Sequence, residues 1–119
     1  MRREEFGKLV EGTSDPAFVV DGAGLVIAWN EPAPQLFGVT AEQAIGKPCK
    51  SIVHGTDECG QVCSNHCIVQ QAIRNHHPLK NFDFEVQTIR GPEWCNISVL
   101  IVAADGSREL HAIHIVRPA

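Results

Sequence analysis

Five β-prone segments, a block of short helical patterns between the second and third of them, and enough apolar residues for one core predict an α+β domain. The expected architecture is a five-stranded antiparallel sheet with short helices over one face. A chain of 119 residues has the length of one domain and buries roughly two-thirds of its unfolded surface. Its 44% hydrophobic and 20% charged residues lie within the globular range, so the whole chain is expected to fold.

The elements follow in order. Arg2 to Val10 carries Phe6, Leu9 and Val10 at helical spacing, an amphipathic helix ended near Gly12 that could pack on this domain or on a partner. We therefore divide the chain into residues 1–13, an N-terminal helix and possible dimer contact, and residues 14–119, the domain proper. Ala17–Val20 and Leu25–Trp29 are strands joined by Asp21-Gly22-Ala23-Gly24, whose glycines tolerate positive φ. No helix follows this turn, so its glycines are not a dinucleotide fingerprint. A short helix is expected within Glu31 to Phe37. Thr40 and Gln43 have the reciprocal spacing of a capping box and start another, which must stop by Gly46. Cys49 to Ser64 lacks clean periodicity and reads as turns or irregular structure. Ser64 is a candidate N-cap for a helix over Asn65 to Asn75 with Ile68, Ala72 and Ile73 on its apolar face, closed by Pro78. Three strands complete the chain: Phe82, Phe84 and Val86 alternate with polar residues, Trp94 to Val102 follows Gly91-Pro92, and Leu110 to Val116 follows Asp105-Gly106. In the last strand Leu110, Ala112, His114 and Val116 share one face, and His111, Ile113 and Ile115 the other.

This order and its local wording resemble the PAS sensory domain family. The residues that carry the resemblance are Asp15-Pro16-Ala17, Asp21-Gly22, Trp29-Asn30-Glu31-Pro32-Ala33, Leu36-Phe37-Gly38, Ile45-Gly46-Lys47-Pro48 and His114-Ile115-Val116-Arg117. They span nearly all the chain in one consistent order. The resemblance implies a sheet of order 2-1-5-4-3 with a small cavity beneath its helices. It also implies a sensor of ligand, redox state or light that regulates a kinase, cyclase or DNA-binding output, as in bacterial signal transduction and transcription regulation. Trp29, Phe37, Ile68, Ala72 and Trp94 are the candidates to line the cavity. Aromatic residues on a half-buried sheet are more often simple packing.

The densest chemistry lies in Cys49, Cys59, Cys63 and Cys67, four of the five cysteines within nineteen positions. Their number suits a tetrahedral zinc or an iron–sulfur cluster, since soft thiolates select those metals. Their spacing departs from the Cys-x2-Cys pairs of common zinc motifs. A capped helix would place Cys67 in its first turn, where unpaired N–H groups favour the thiolate. Cys63 and Cys67 could then act as a redox switch. Buried cysteines that merely pack as small apolar residues are the plain alternative. Gly46-Lys47-Pro48-Cys49 and Cys63-Ser64-Asn65-His66-Cys67 are similar to elements of PAS relatives without an established cofactor. Cys95 alternates with Trp94 and reads as a sheet residue.

Some relatives bind haem through a histidine on the long helix. His66, His76 and His77 are the candidates, although His76 and His77 beside Pro78 are explained as helix-end histidines. The flavin-binding relatives require an Asn-Cys-Arg-Phe-Leu-like segment that this sequence lacks, so flavin is not expected.

A net charge of -4 with scattered Lys and Arg opposes direct nucleic-acid binding. Ile97 to Ala104 is too short to span a bilayer and the N-terminus does not read as a signal peptide, so a cytosolic setting without disulfides is expected. The Asn96-Ile97-Ser98 sequon on a strand is chance in that setting. No nucleophile with a base and an orienting third group is identifiable, and no catalysis is expected. The expected partners are a second copy and an output domain or signalling protein. The rival reading is a cofactor-free interaction module with incidental thiols.

Overall fold

The computed structural model describes residues 3–53, 68–75, 77–103 and 109–118. Helix α1, Arg3–Val10, precedes strands β1, Ala17–Val20, and β2, Val26–Trp29. Helices α2, Ala33–Phe37, α3, Ala41–Ala44, α4, Lys50–Val53, and α5, Ile68–Asn75, come next. Strands β3, Phe82–Thr88, β4, Gly91–Ala103, and β5, Leu110–Pro118, end the chain. All neighbouring strands pair antiparallel, in the order β2-β1-β5-β4-β3.

Local chemistry explains the early turns. Asp21 Oδ1 accepts from the amides of Ala23 and Leu25 at 3.0 Å, and Gly24 adopts φ +84° to close the β1–β2 turn. The Thr40–Gln43 capping box forms in both directions. Gly38 ends α2 in the left-handed region at φ +73°. Within Cys49 to Ser64, Lys50–Val53 makes a single helical turn, and residues 54–64 lie outside the described residues. Val69, Ala72 and Ile73 form the buried face of α5.

Two apolar layers sandwich the sheet. On the front, Phe18, Val20, Cys95, Ile97, Ala112 and Val116 pack against Leu36, Phe37, Ala44, Val53, Val69 and Ile73 from the helices. On the back, Phe6 and Val10 of α1 cover Ala17, Val19, Ala28 and Ile113. With both faces covered, all four residues of β1 are buried, which is why its sequence does not alternate. Phe6 and Val10 of the apolar stripe of α1 are thus spent on this chain's own sheet, while Leu9 stays exposed. Phe6 stacks on His111 with ring centroids 5.0 Å apart and planes 1° apart. Burial leaves His111 Nδ1 without a hydrogen-bond partner.

Asn30 joins the two layers. Its Nδ2 donates to the carbonyls of Val10, at the end of α1, and Asp15, while its Oδ1 accepts from the amides of Ala17 and Ala33. All of its side-chain hydrogen-bonding capacity is used inside the protein. Arg117 Nε donates to Asp15 Oδ2 at 2.9 Å, and the Val116 amide donates to the Pro16 carbonyl, so the start of β1 and the end of β5 are held together.

Candidate functional site

The front face of the sheet is packed unevenly. Toward β1, Phe18, Trp29 and Phe37 pack on one another with centroid separations of 5.3 to 6.1 Å. Trp29 Nε1 donates to the Val39 carbonyl at 2.9 Å, which satisfies the indole. Toward β3 and β4, Phe82, Phe84, Val99 and Ile101 are only half-buried. Phe82 and Phe84 meet edge to face at 5.6 Å, and β-strand alternation puts Val99 and Ile101 on that same side. The result is an apolar floor that is half-buried along one half.

His114 stands at the boundary between these halves. Register sets it opposite Phe18 on β1 and Val99 on β4. Its ring stacks on Phe18 at 4.5 Å with planes 12° apart, and its Nδ1 lies 3.3 Å from the Ala112 carbonyl. A carbonyl only accepts, so Nδ1 carries the proton of the neutral ring and Nε2 keeps its lone pair. Burial pushes the imidazole down to about 4 from its ordinary 6.5, outweighing the opposing effect of the Ala112 bond. His114 is neutral at physiological pH.

Cys95 faces the same layer at 1% exposure. Burial, reinforced by the Glu93 carboxylate, pushes its thiol up to about 11. The thiol lies 3.8 Å from the Glu93 carbonyl, to which it donates weakly. It is an inert packing residue. Among the described residues no three His, Cys, Asp or Glu side chains converge to hold a metal ion.

This architecture has known counterparts. A family model described as the PAS fold matches residues 4–119. The chain belongs to the PAS family. This PAS domain is 34% identical over 108 residues to phytochrome A type 3 of Avena sativa, covering 90% of this chain and 9% of the relative. Identity to a phytochrome of Picea abies is 32% over 107 residues, covering 89% of this chain and again 9% of the relative. The domain therefore spans about a tenth of the length of these curated relatives. Among solved structures, the PAS domain of a Colwellia psychrerythraea protein superposes with a TM-score of 0.69 at 21% identity, covering 98% of this chain and 95% of that one. A chain of the E. coli DhaR(N)–DhaL complex superposes with a TM-score of 0.65 at 17% identity, covering 98% of this chain and 35% of that one. As a PAS domain the protein is a module of the sensory and signalling class.

The PAS fold distributes the residues singled out in the sequence unequally. Trp29, Phe37 and Ala72 are buried in the front layer or on its covering helix, but the two aromatic rings are engaged with each other and with Phe18. Trp94 is a correction. It alternates with the inward Cys95, points from the back of the sheet and is 41% exposed, so it does not line the front face beneath α2 to α5. Ile68 begins α5; its side chain lies outside the described residues. Cys49 is half-buried against the front core, whereas Cys59, Cys63, Cys67, His66 and His76 lie outside the described residues. His77 is exposed, and its amide donates to the Ala72 carbonyl at the end of α5.

Sequence reasoning passed over His114 as a site residue. Alternation within Leu110 to Val116 gave its face. Its burial against Phe18 depends on pairing with β1 from the opposite end of the chain.

Proposed function

We propose that this PAS domain binds a small molecule on the front face of its sheet and transmits occupancy through the covering helices, with no catalytic step of its own. The supporting observation is the half-buried apolar floor of Phe82, Phe84, Val99 and Ile101 beside a buried neutral histidine. A mostly apolar pocket with one oriented polar group is a usual form of ligand site. Filling it would shift how α2 and α5 lie on the sheet. An attached output domain, a partner protein or a second copy would read the change. The sensory relatives, phytochromes included, and the neighbour found in a DhaR(N)–DhaL complex support such an output. Exposed Leu9 and Leu100, on the side of the sheet that carries α1, are candidate contacts for a homodimer.

The test is native mass spectrometry, an absorption spectrum and metal analysis on protein purified without oxygen. A retained neutral organic molecule, or a reproducible melting shift with a small-molecule set, supports the cavity. Zinc, or iron with sulfide absorption, would transfer the sensing role to the four cysteines. A bare, colourless protein that no compound stabilises would overturn the reading in favour of a cofactor-free interaction module.

A further inference from the structure

The nature of the ligand follows from His114, and this inference rests on the reading of the front face as a ligand site. We propose that His114 Nε2 is the hydrogen-bond acceptor that selects the ligand, and that the ligand is a neutral, mostly apolar molecule carrying an N–H or O–H donor. Three observations carry the inference. First, the Ala112 carbonyl 3.3 Å from Nδ1 fixes the tautomer, so the ring presents a lone pair at Nε2 and no proton. Second, cross-strand stacking on Phe18 at 4.5 Å fixes the plane of the ring, so that lone pair has a set direction before anything binds. Third, His114 lies on the central strand between Phe18 of the aromatic packing and Val99 of the half-buried floor, so it joins the two.

The same surroundings exclude other ligand classes. Among the described residues the buried carboxylate is Asp21, which is bonded to the amides of its own β1–β2 turn, so an ionised ligand on the described part of the floor would lose its hydration without gaining a counter-charge. An apolar molecule without a donor would fill the floor but leave the lone pair of Nε2 unused. A molecule with one suitably placed donor satisfies both parts of the site.

Phenol and toluene, which share a ring and differ in one hydroxyl, are the probes. Protein labelled with 15N-histidine is titrated with each at neutral pH, and the ring nitrogens are read by long-range 1H–15N correlation. The expected result is an Nδ1–H tautomer for His114 and an upfield movement of Nε2 with phenol but not with toluene. In His114→Phe, phenol affinity should fall about five-fold or more while toluene affinity stays within about two-fold. Binding of both probes with Nε2 unmoved would overturn the acceptor role and leave the cavity reading intact. No binding of either probe would overturn both. An Nε2–H tautomer in the unligated protein would overturn the inference without the variant, so the test does not depend on His114→Phe folding.

Discussion

His114 illustrates how a single buried base affects the whole domain. Its folded value of about 4 lies below the ordinary 6.5, so between those pH values the unfolded chain binds a proton that the folded protein refuses. Stability is therefore undiminished above about pH 6.5 and falls as pH drops toward 4, by about 3 kcal/mol in all. Urea titrations of wild type and His114→Phe across this window should show a steeper loss for wild type. Parallel curves would mean that the imidazole is protonated in the folded state. The facing of this residue was legible in the alternation of β5. The same parity rule could not say which of Trp94 and Cys95 points inward, because alternation assigns two faces without naming the buried one. The larger aromatic side chain was the natural choice for a cavity wall, yet the register with β3 and β5 places the thiol in the core and Trp94 outside.

At the scale of elements, α2 and the β3–β4 turn constrain each other. The Ile89 amide donates to the Leu36 carbonyl at 3.0 Å, and a Cβ at Gly38 would stand 2.5 Å from Ile89 Cγ2. Gly38 also occupies φ +73°. Gly38→Ala should cost about 2 kcal/mol, of which roughly 1 kcal/mol or more is backbone strain. Ile89 is an exposed turn residue able to rotate away. Chemical denaturation of Gly38→Ala in an Ile89→Ala background should accordingly recover only part of the loss. Full recovery would make the steric contact, and not the left-handed conformation, the cause. The helix ending at Phe37 was legible, and Gly38 closes it in the left-handed conformation in which helices often end. Its close approach to Ile89 was not legible, since it joins segments fifty residues apart. The Thr40–Gln43 box and the Asp21 turn were readable because each closes within a few residues. The one-turn α4 left no periodicity to detect.

For the molecule as a whole, α1 is the least foreseeable placement. An amphipathic stripe shows that something is covered without saying what. Phe6 and Val10 complete the back layer of this same sheet. Phe6→Ala should destabilise the domain by about 3 kcal/mol, the usual cost of emptying a buried aromatic site. Leu100→Lys touches a residue 60% exposed and should change stability by less than about 0.5 kcal/mol. If the exposed back surface is the dimer contact, sedimentation should find Leu100→Lys monomeric at concentrations where wild type associates. Unchanged association would place that contact elsewhere. The existence of five strands and of helices between the second and third was legible. The strand order came only from the family resemblance, because antiparallel strands separated by long stretches of chain have no local signature of their pairing.

That order also shapes how the chain assembles. Hairpin β1–β2 and meander β3–β4–β5 each join strands consecutive in sequence, and a single seam, β1 against β5, unites them. Ala17 pairs with Ile115 and Val20 with Ala112 along this seam, so closing it confines a loop of nearly the full chain length. The entropy of that closure is about 4 kcal/mol, and local contacts within either half do nothing to offset it. Until β5 has been synthesised, β1 presents an apolar strand with one unpaired edge, the kind of surface that invites association with other chains. The last nine residues of the sheet thus protect the first four.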